Sequence, residues 1–214
     1  MGKLFAGPWS DVTGTVGNNV GRYVDGENIF SVKPHKSSKP SSQSQINHRT
    51  GFGMMMEQVS LFSGAIAIGF KDNIDKLAPG NAALKYNFKH ALSGTAPNYS
   101  ISYADFLISR GKLNPVSTPA VAAVAGETAT LEFSWLDGGF GLSDSTDLIK
   151  VYIHTPGIEN LVTNGTVVKR NALKIRMIVP FEFIGLPLHC YIMVVSADGK
   201  RFSNSRYCGS VTLS

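Results

Sequence analysis

The chain has 214 residues, with 20 Lys and Arg against 15 Asp and Glu and a formal net charge of +5 at pH 7. This length suffices for one large domain or two small ones whose core needs no metal or disulfide. Hydrophobic residues make up 43% of the chain and charged residues 16%, which excludes disorder outside the N-terminal arm, and 22 Gly and 10 Pro beside many Val, Ile and Thr favour β structure.

No apolar stretch near the N-terminus has the length of a secretory signal, and none elsewhere is long enough to span a bilayer. We therefore expect synthesis in a reducing cytoplasm, with residence there or in a virion or other particle assembled there, and no membrane insertion. Cys190 and Cys208 flank a predicted Asp198-Gly199 turn. A two-residue loop would offset them by one position, and a three-residue loop would place them opposite each other. The compartment favours two buried thiols.

Residues 1–42 are predicted to form an extended β arm. Residues 4–21 alternate Gly with β-branched residues, a strand pattern that specifies its register poorly and needs a partner. Residues 20–24 and 27–32 flank Asp25-Gly26, which suits a type I′ turn and predicts a β-hairpin. An isolated hairpin is marginal in water, so it must dock on its own domain or on a neighbouring subunit. The candidate assembly contacts of the arm are Leu4, Phe5, Trp9, Val12, Val16, Val20, Tyr23, Ile29 and Phe30.

A basic segment links the arm to the rest of the chain. Residues 28–56 contain no Asp or Glu, and their Lys and Arg residues are Lys33, Lys36, Lys39 and Arg49. These four residues are a candidate contact for a polyanion. The alternative is a solvated Pro/Ser tether whose lysines keep it soluble and discourage edge-to-edge pairing of strands.

Residues 43–119 are predicted to contain two helices and a strand. Ser41 or Ser42 is expected to cap the first helix, and Asn81 the second, which Gly94 ends. Residues 99–108 alternate well enough for a strand. Apolar residues at intervals of three and four predict one buried face of the first helix, and they are Phe52, Met55, Met56, Val59, Phe62 and Ile66.

Residues 120–214 predict a β-sandwich of seven short strands, so the chain is expected to be mainly β with a helical segment. The strands are expected at residues 121–124, 128–136, 148–154, 160–168, 172–179, 188–196 and 201–211. In the fifth strand, Leu173 is expected on the buried face, opposite Lys174. The sixth strand is apolar on both faces, with Tyr191 on one and Cys190 on the other. Its outer face needs a cover, which the helical segment or a second subunit must supply.

Two sequence resemblances add to this organisation. Residues 191–207 resemble the last hairpin of fibronectin type III or immunoglobulin-like domains, and Trp135 stands where such domains have a tryptophan on their second strand. A second set of motifs runs through nearly the whole chain: Gly2-Lys3-Leu4, Gly7-Pro8, Gly14, Val16-Gly17, Val20-Gly21, Lys33-Pro34, Lys39-Pro40, Gln45, Arg49, Phe52, Ile68-Gly69-Phe70-Lys71, Asn81-Ala82-Ala83, Pro97-Asn98-Tyr99 and Ser109-Arg110-Gly111. On these motifs the chain resembles an uncharacterised family found in Bacteroidota, and a part of the N-terminal pattern also occurs in prophage-associated proteins.

The sequence predicts no catalytic, cofactor-binding or metal-binding residues. The glycines of the arm are not followed by the Gly-Lys-Ser/Thr of a phosphate-binding loop, and no nucleophile elbow is present. The five histidines lack Cys or carboxylate partners at ligand spacing. Asp137, Asp144 and Asp147 surround a glycine-rich loop but lack the spacing of a calcium loop, so a solvated loop is favoured.

These observations lead to a hypothesis of a non-enzymatic structural protein. We expect it to form a homo-oligomer by adding strands of its N-terminal arm to neighbouring subunits, as part of a virion, other phage-like particle or filament. One alternative is nucleic-acid binding through the basic segment. Another is an immunoglobulin-like module that binds carbohydrate or a surface.

Overall fold

A computed structural model describes residues 2–4, 7, 9–35, 38–73, 76–138 and 141–213. The chain divides into two compact units, Met1–Ser42 and Gln43–Ser214. Within the described residues there are fourteen β-strands and three α-helices. The prediction of a mainly β chain with a helical segment is therefore confirmed, although the number of helices is three instead of two.

The N-terminal unit is a four-stranded antiparallel sheet with the order β1-β4-β3-β2. Its strands are β1 (Gly2–Leu4), β2 (Gly14–Val16), β3 (Asn19–Val24) and β4 (Glu27–Val32). Asp25 and Gly26 connect β3 to β4 with φ angles of 52° and 81°. A type I′ turn requires positive φ at both positions. The predicted hairpin is confirmed.

The hairpin obtains its neighbours from its own segment of chain. Gly2 of β1 pairs with Phe30, and Gly14 of β2 pairs with Gly21. The prediction of one long strand over residues 4–21 is wrong, because the chain turns back at Gly17, whose φ is 59°. Glycine adopts this left-handed conformation without steric cost, so Gly17 allows a turn that ends β2 after three residues.

The second unit begins with three helices, α1 (Gln43–Leu61), α2 (Ser63–Gly69) and α3 (Pro79–His90). The predicted first helix breaks at Phe62, and its two parts, α1 and α2, meet at 81°. Among the described residues no single helix is long and apolar enough to cross a membrane. Only the bent pair of α1 and α2, taken together, has that length and composition.

The buried face of α1 and α2 is narrower than predicted. Met55, Val59, Phe62 and Ile66 are buried in a common core. Phe52 and Met56 are exposed, contrary to the prediction. They lie four residues apart, one helical turn, and so share a neighbouring face of α1 that the core does not cover.

The predicted ends of the second helix are wrong. The helix α3 starts at Pro79 with Ala78 as its N-cap, so Asn81 lies inside it. Proline in the first turn has no N–H left without a partner and fits the start of a helix. The helix ends at His90, and Gly94 instead lies in β5 (Leu92–Thr95), which pairs with β6 (Asn98–Ile101). The predicted strand over residues 99–108 therefore ends at Ile101.

The remaining strands form two antiparallel sheets. They are β7 (Ser117–Ala123), β8 (Thr130–Leu136), β9 (Leu148–His154), β10 (Val162–Thr163), β11 (Val168–Lys169), β12 (Lys174–Ile178), β13 (Pro187–Val195) and β14 (Arg206–Thr212). One sheet has the order β10-β9-β13-β14, with β11 also on β9, and the other has the order β12-β8-β7. Each predicted strand of residues 120–214 therefore overlaps an observed strand, and the fourth is split in two, whereas β7 begins at Ser117, four residues before the predicted start.

The two sheets enclose a core of alternating apolar residues. Phe133 and Trp135 of β8 pack in it with Val151 of β9 and Ile192 of β13. The predicted place of Leu173 on this buried face is wrong. Leu173 has a φ of 59° and is exposed, because it ends the short 3₁₀ helix Arg170–Ala172 before β12 begins.

The opposite face of β13 belongs to a second core. Tyr191, Met193 and Val195 pack there with Phe62 and Phe106 of the helical segment. The helices thus supply the predicted cover of the doubly apolar strand. Residues 43–119 and 120–214 share this core within one compact unit.

The two cysteines are free thiols. Cys190 pairs in register with Gly209, and a bulge follows at Cys190/Tyr191, so Cys208 does not lie directly opposite. Burial raises the pKa of the Cys208 thiol to about 12. Both sulfur atoms are therefore protonated and unreactive near neutral pH.

Candidate functional site

The N-terminal sheet has one uncharged face. The register places Tyr23 opposite Asn28, and Asn19 between Val16 and Val32. Because alternate residues of a strand point to the same side, these residues lie on one face with Phe30. We call Val16, Tyr23, Phe30 and Val32 the apolar face. Tyr23 is 58% exposed and Val32 59% exposed.

The loop before β2 partly covers the apolar face. The Trp9 ring lies 6.4 Å from the Phe30 ring, yet Trp9 is 54% exposed. A Cβ added to Gly21 would lie 2.2 Å from the carbonyl oxygen of Val12, so this loop approaches the sheet closely. The loop therefore adds an aromatic ring to the exposed surface.

The other face of the N-terminal sheet carries the charges. Lys3 and Arg22 lie on it by register with Ile29. The Lys3 Nζ lies 2.7 Å from Glu27 Oε2. This ion pair is exposed, so it contributes little stability. Solvated charges of both signs mark this face as the one suited to water.

The structure brings together only part of the predicted arm contacts. Val16, Tyr23 and Phe30 share the apolar face, and Trp9 contacts it. Val20 and Ile29 belong to the charged face. Val12 lies in the loop, and the backbone of Leu4 pairs with Asn28. Phe5 lies outside the described residues.

The predicted polyanion contacts are distributed over both units. Lys33 and Lys39 are exposed residues that follow β4, and Lys33 N donates to the Asn18 oxygen at 2.8 Å. Arg49 is an exposed residue of α1 in the second unit. Lys36 lies outside the described residues. The three described positions therefore belong to two different compact units.

The second unit contains a cleft of about 720 Å³ that sequence reasoning missed. Its walls are α1, β6, Tyr103, the end of β9 and the loop over residues 156–159. We call it the α1–β9 cleft. Its polar lining residues are Glu57, Gln58, Ser60, Ser100, Tyr103, His154 and Glu159, and its larger apolar ones are Met54, Leu61, Ile101 and Ile158.

Buried polar atoms without partners surround the α1–β9 cleft. Gln58 is 7% exposed and His154 3% exposed. The described chain offers no hydrogen bond to Gln58 Nε2, to either ring nitrogen of His154 or to Oγ1 of the adjacent Thr155. More than nine in ten buried polar groups have a partner in folded proteins. Two such side chains in the lining of one cleft, with Thr155 next to one of them in the chain, are therefore unusual.

The surroundings of His154 keep its imidazole neutral. Its ring lies 5.6 Å from the Phe62 ring and 5.8 Å from the Tyr103 ring. Burial, and to a lesser degree the facing His189, lower the His154 pKa to about 4. At neutral pH the ring thus has one N–H donor and one acceptor nitrogen.

Tyr103 is held in place at the side of the α1–β9 cleft. Its ring stacks on His189 at 3.8 Å, and its carbonyl oxygen accepts a hydrogen bond from Tyr191 Oη at 2.8 Å. His189 Nδ1 in turn lies 2.8 Å from Tyr207 Oη. Burial, and then Tyr207, raise the Tyr103 pKa. The phenol is therefore a neutral hydroxyl group.

The charge of the α1–β9 cleft is negative. Glu57 and Glu159 contribute exposed carboxylates, and no Lys or Arg is found among its described lining residues. Across the described ranges no group of three or more His, Cys, Asp or Glu is arranged to hold a metal ion. The arrangement can therefore accept and donate hydrogen bonds around an apolar wall, but it does not provide the positive charge that an anion needs.

The sequence did contain one signal for this cleft. His154 is a buried polar residue at the end of β9, a strand whose only charged residue is Lys150, and it lies on the side that faces the helices. Gln58 gives no comparable signal, since a polar residue on a helix is ordinarily solvated. Their proximity depends on how α1 packs on the sheet, which no local pattern encodes.

The comparison with known families covers most of the chain. A family of unknown function, DUF6266, matches residues 11–209. The chain belongs to this family. The predicted resemblance to an uncharacterised family is confirmed at that level. A search of curated proteins gives no match to the chain.

Proposed function

We propose that the chain is a structural protein that self-associates through its N-terminal sheet. The observation that carries the proposal is the apolar face, where Tyr23 and Val32 are each more than half exposed. A small sheet needs its apolar face covered to be stable. Large apolar side chains that stay exposed on one face of a small sheet mark a candidate interaction site.

A second copy of the chain is the partner that this face fits. No charged residue belongs to the apolar face within the described part of the sheet. Two such faces can therefore meet without like-charge repulsion, and neither needs an oppositely charged partner. A two-fold pairing of identical faces is the commonest symmetry of oligomers.

The size of the sheet sets the strength of this contact. Four strands about 4.8 Å apart and six residues of about 3.3 Å give a face of at most roughly 400 Å². A standard interface buries about 800 Å² on each partner. We therefore expect reversible association that depends on protein concentration, unless several contacts add together in a larger assembly.

Strand addition would supply such further contacts. The edge strands β1 and β2 differ in sequence, and each has one side without a paired strand in the described sheet. Pairing β1 of one copy with β2 of the next is a head-to-tail contact, which builds a filament when the rotation between copies does not close and a ring when it does. A virion or phage-like particle is the setting that the N-terminal sequence resemblance suggests.

The strand order of residues 117–212 supports the proposal that the second unit contains an immunoglobulin-like sandwich. Counting β10 and β11 as one, the first, second and fifth strands of the sandwich form one sheet, and the third, fourth, sixth and seventh form the other. Fibronectin type III and immunoglobulin-like domains divide their strands between two sheets in a comparable way. Trp135 on the second strand is buried between the sheets.

The test compares two exposed faces of one sheet. The double variant Tyr23→Lys, Val32→Lys charges the apolar face, and Val24→Lys charges an exposed position on the other face as a matched control. Light scattering after size exclusion, over a wide range of concentration, should show association in wild type and in Val24→Lys only. Electron microscopy of wild type distinguishes closed pairs from filaments. A wild-type monomer at all concentrations, or undiminished association of the double variant, refutes the proposal.

A further inference from the structure

We propose that the α1–β9 cleft, lined by Gln58 with its unpartnered Nε2, by the unpartnered His154 imidazole, by two carboxylates and by an apolar wall, binds a neutral saccharide. The proposal does not depend on the N-terminal sheet, because every lining residue belongs to the second compact unit. A volume of about 720 Å³ lies within the range of small-molecule sites.

The unpartnered atoms indicate that the cleft is built for an occupant. Gln58 Nε2 and both nitrogens of His154 are removed from solvent and have no hydrogen-bond partner within the described chain. A buried polar group without a partner reduces stability, whereas an apolar side chain of similar shape would not. A ligand toward which the Gln58 and His154 side chains turn upon binding supplies the missing partners and recovers this loss.

The mixture of donors and acceptors selects the ligand chemistry. Gln58 Nε2 donates, and neutral His154 both donates and accepts. The carboxylates of Glu57 and Glu159 are hydrogen-bond acceptors. A hydroxyl group can donate to one neighbour and accept from another. Several hydroxyls on one ring therefore satisfy this set better than any single charged group.

The charges exclude the main alternatives. Phosphate and carboxylate ligands would meet two carboxylates and, among the described lining residues, no cation. An alkylammonium ligand would suit the carboxylates but would leave Gln58 Nε2 without an acceptor. An extended peptide would bind chiefly by backbone pairing along β6. The unpartnered atoms instead belong to side chains of α1 and β9.

The apolar wall fits the other surface of a sugar ring. Met54, Leu61, Ile101 and Ile158 line the cleft beside the polar groups. A saccharide has C–H groups that contact such side chains while its hydroxyls point to polar ones. Tyr103, fixed by its stack on His189, adds an aromatic edge and a hydroxyl.

The experiment is a binding screen on the full chain. Isothermal titration and saturation-transfer NMR are performed with cellobiose, maltose, xylobiose, mannobiose, lactose and diacetylchitobiose. Glucose 6-phosphate, putrescine and an end-capped trialanine serve as anionic, cationic and peptide probes. We expect at least one neutral disaccharide to bind and the three other probes to bind more weakly or not at all.

Variants identify the site of binding. Gln58→Leu should weaken saccharide binding about five- to tenfold, because it removes one hydrogen bond to a buried donor. Its thermal midpoint should be equal to or above that of wild type, which separates a binding role from a structural one. Met56→Gln, on an exposed face of α1 outside the cleft lining, is the matched control and should bind as wild type does.

Four results would overturn the proposal. They are no binding by any neutral disaccharide, unchanged binding by Gln58→Leu, tighter binding of the anionic, cationic or peptide probe, and a clear loss of thermal stability in Gln58→Leu. The last result would mean that the Gln58 amide supports the fold.

Discussion

Acid should destabilise the second unit through one residue, His154. Its side chain is buried against Phe62 and Tyr103 and faces His189 across the strand pair. No described residue accepts a hydrogen bond from its ring. A protonated imidazolium at this place would hold a positive charge in a buried site where no described carboxylate, Glu57 and Glu159 of the cleft included, accepts a hydrogen bond from the ring.

The direction and the size of this change in stability follow from the pKa of His154 in the unfolded and in the folded chain. The unfolded chain takes up a proton at His154 near the ordinary pKa of 6.5, but the folded chain does so only at about 4. The free energy of unfolding therefore has no penalty from His154 above pH 6.5, and it decreases as the pH falls from 6.5 toward 4. The pKa difference corresponds to at most about 3 kcal/mol, and water in the adjacent cleft reduces the expected loss to about 2 kcal/mol.

The assay is urea unfolding at several pH values between 7 and about 4, with wild type and the variant His154→Leu. Wild type should lose about 2 kcal/mol more than the variant over this interval. His35→Gln, at an exposed histidine of the N-terminal unit, should behave as wild type does. An equal acid-induced loss in wild type and His154→Leu would refute the assignment.

Two further predictions concern packing. Arg170→Met should lower the free energy of unfolding by about 3 kcal/mol in urea denaturation, because the buried guanidinium donates to Asp137 and to three backbone carbonyls that would lose their donor; a loss within experimental error would contradict this role. Gly69→Ala should cost about 1–3 kcal/mol in the same assay, since the new Cβ would lie 2.5 Å from the Cβ of Ser109. Gly64→Ala in the same helix is its control, because no described atom lies within 4 Å of the added Cβ, and it should be neutral or stabilising.

Local chemistry was enough to predict some elements. Asp25-Gly26 has the backbone preferences of one turn type, so the hairpin follows from two residues. The alternation in β8, with Phe133 and Trp135 on one face, equally follows from the period of a strand. At the start of α3 two local signals competed, and the proline at position 79 prevailed over the asparagine two residues later.

The elements that were not predicted depend on distant packing. Phe52 and Met56 fit the apolar period of α1, but the core extends only along the neighbouring face. The α1–β9 cleft requires Gln58 and His154 to meet although they lie far apart in the chain. The local sequence around Gln58 does not indicate that His154 lies nearby, and the sequence around His154 does not indicate Gln58.

Strand β13 is a wall that two cores have in common. Leu188, Cys190 and Ile192 face the other sheet, and Tyr191 and Met193 face the helices. The sandwich therefore cannot be excised as an independent module, because removing the helices would leave an apolar stripe in water along its central strand. For the same reason a substitution that destabilises the helices should also destabilise the sheets. Gln43–Ser214 should therefore unfold in a single cooperative step.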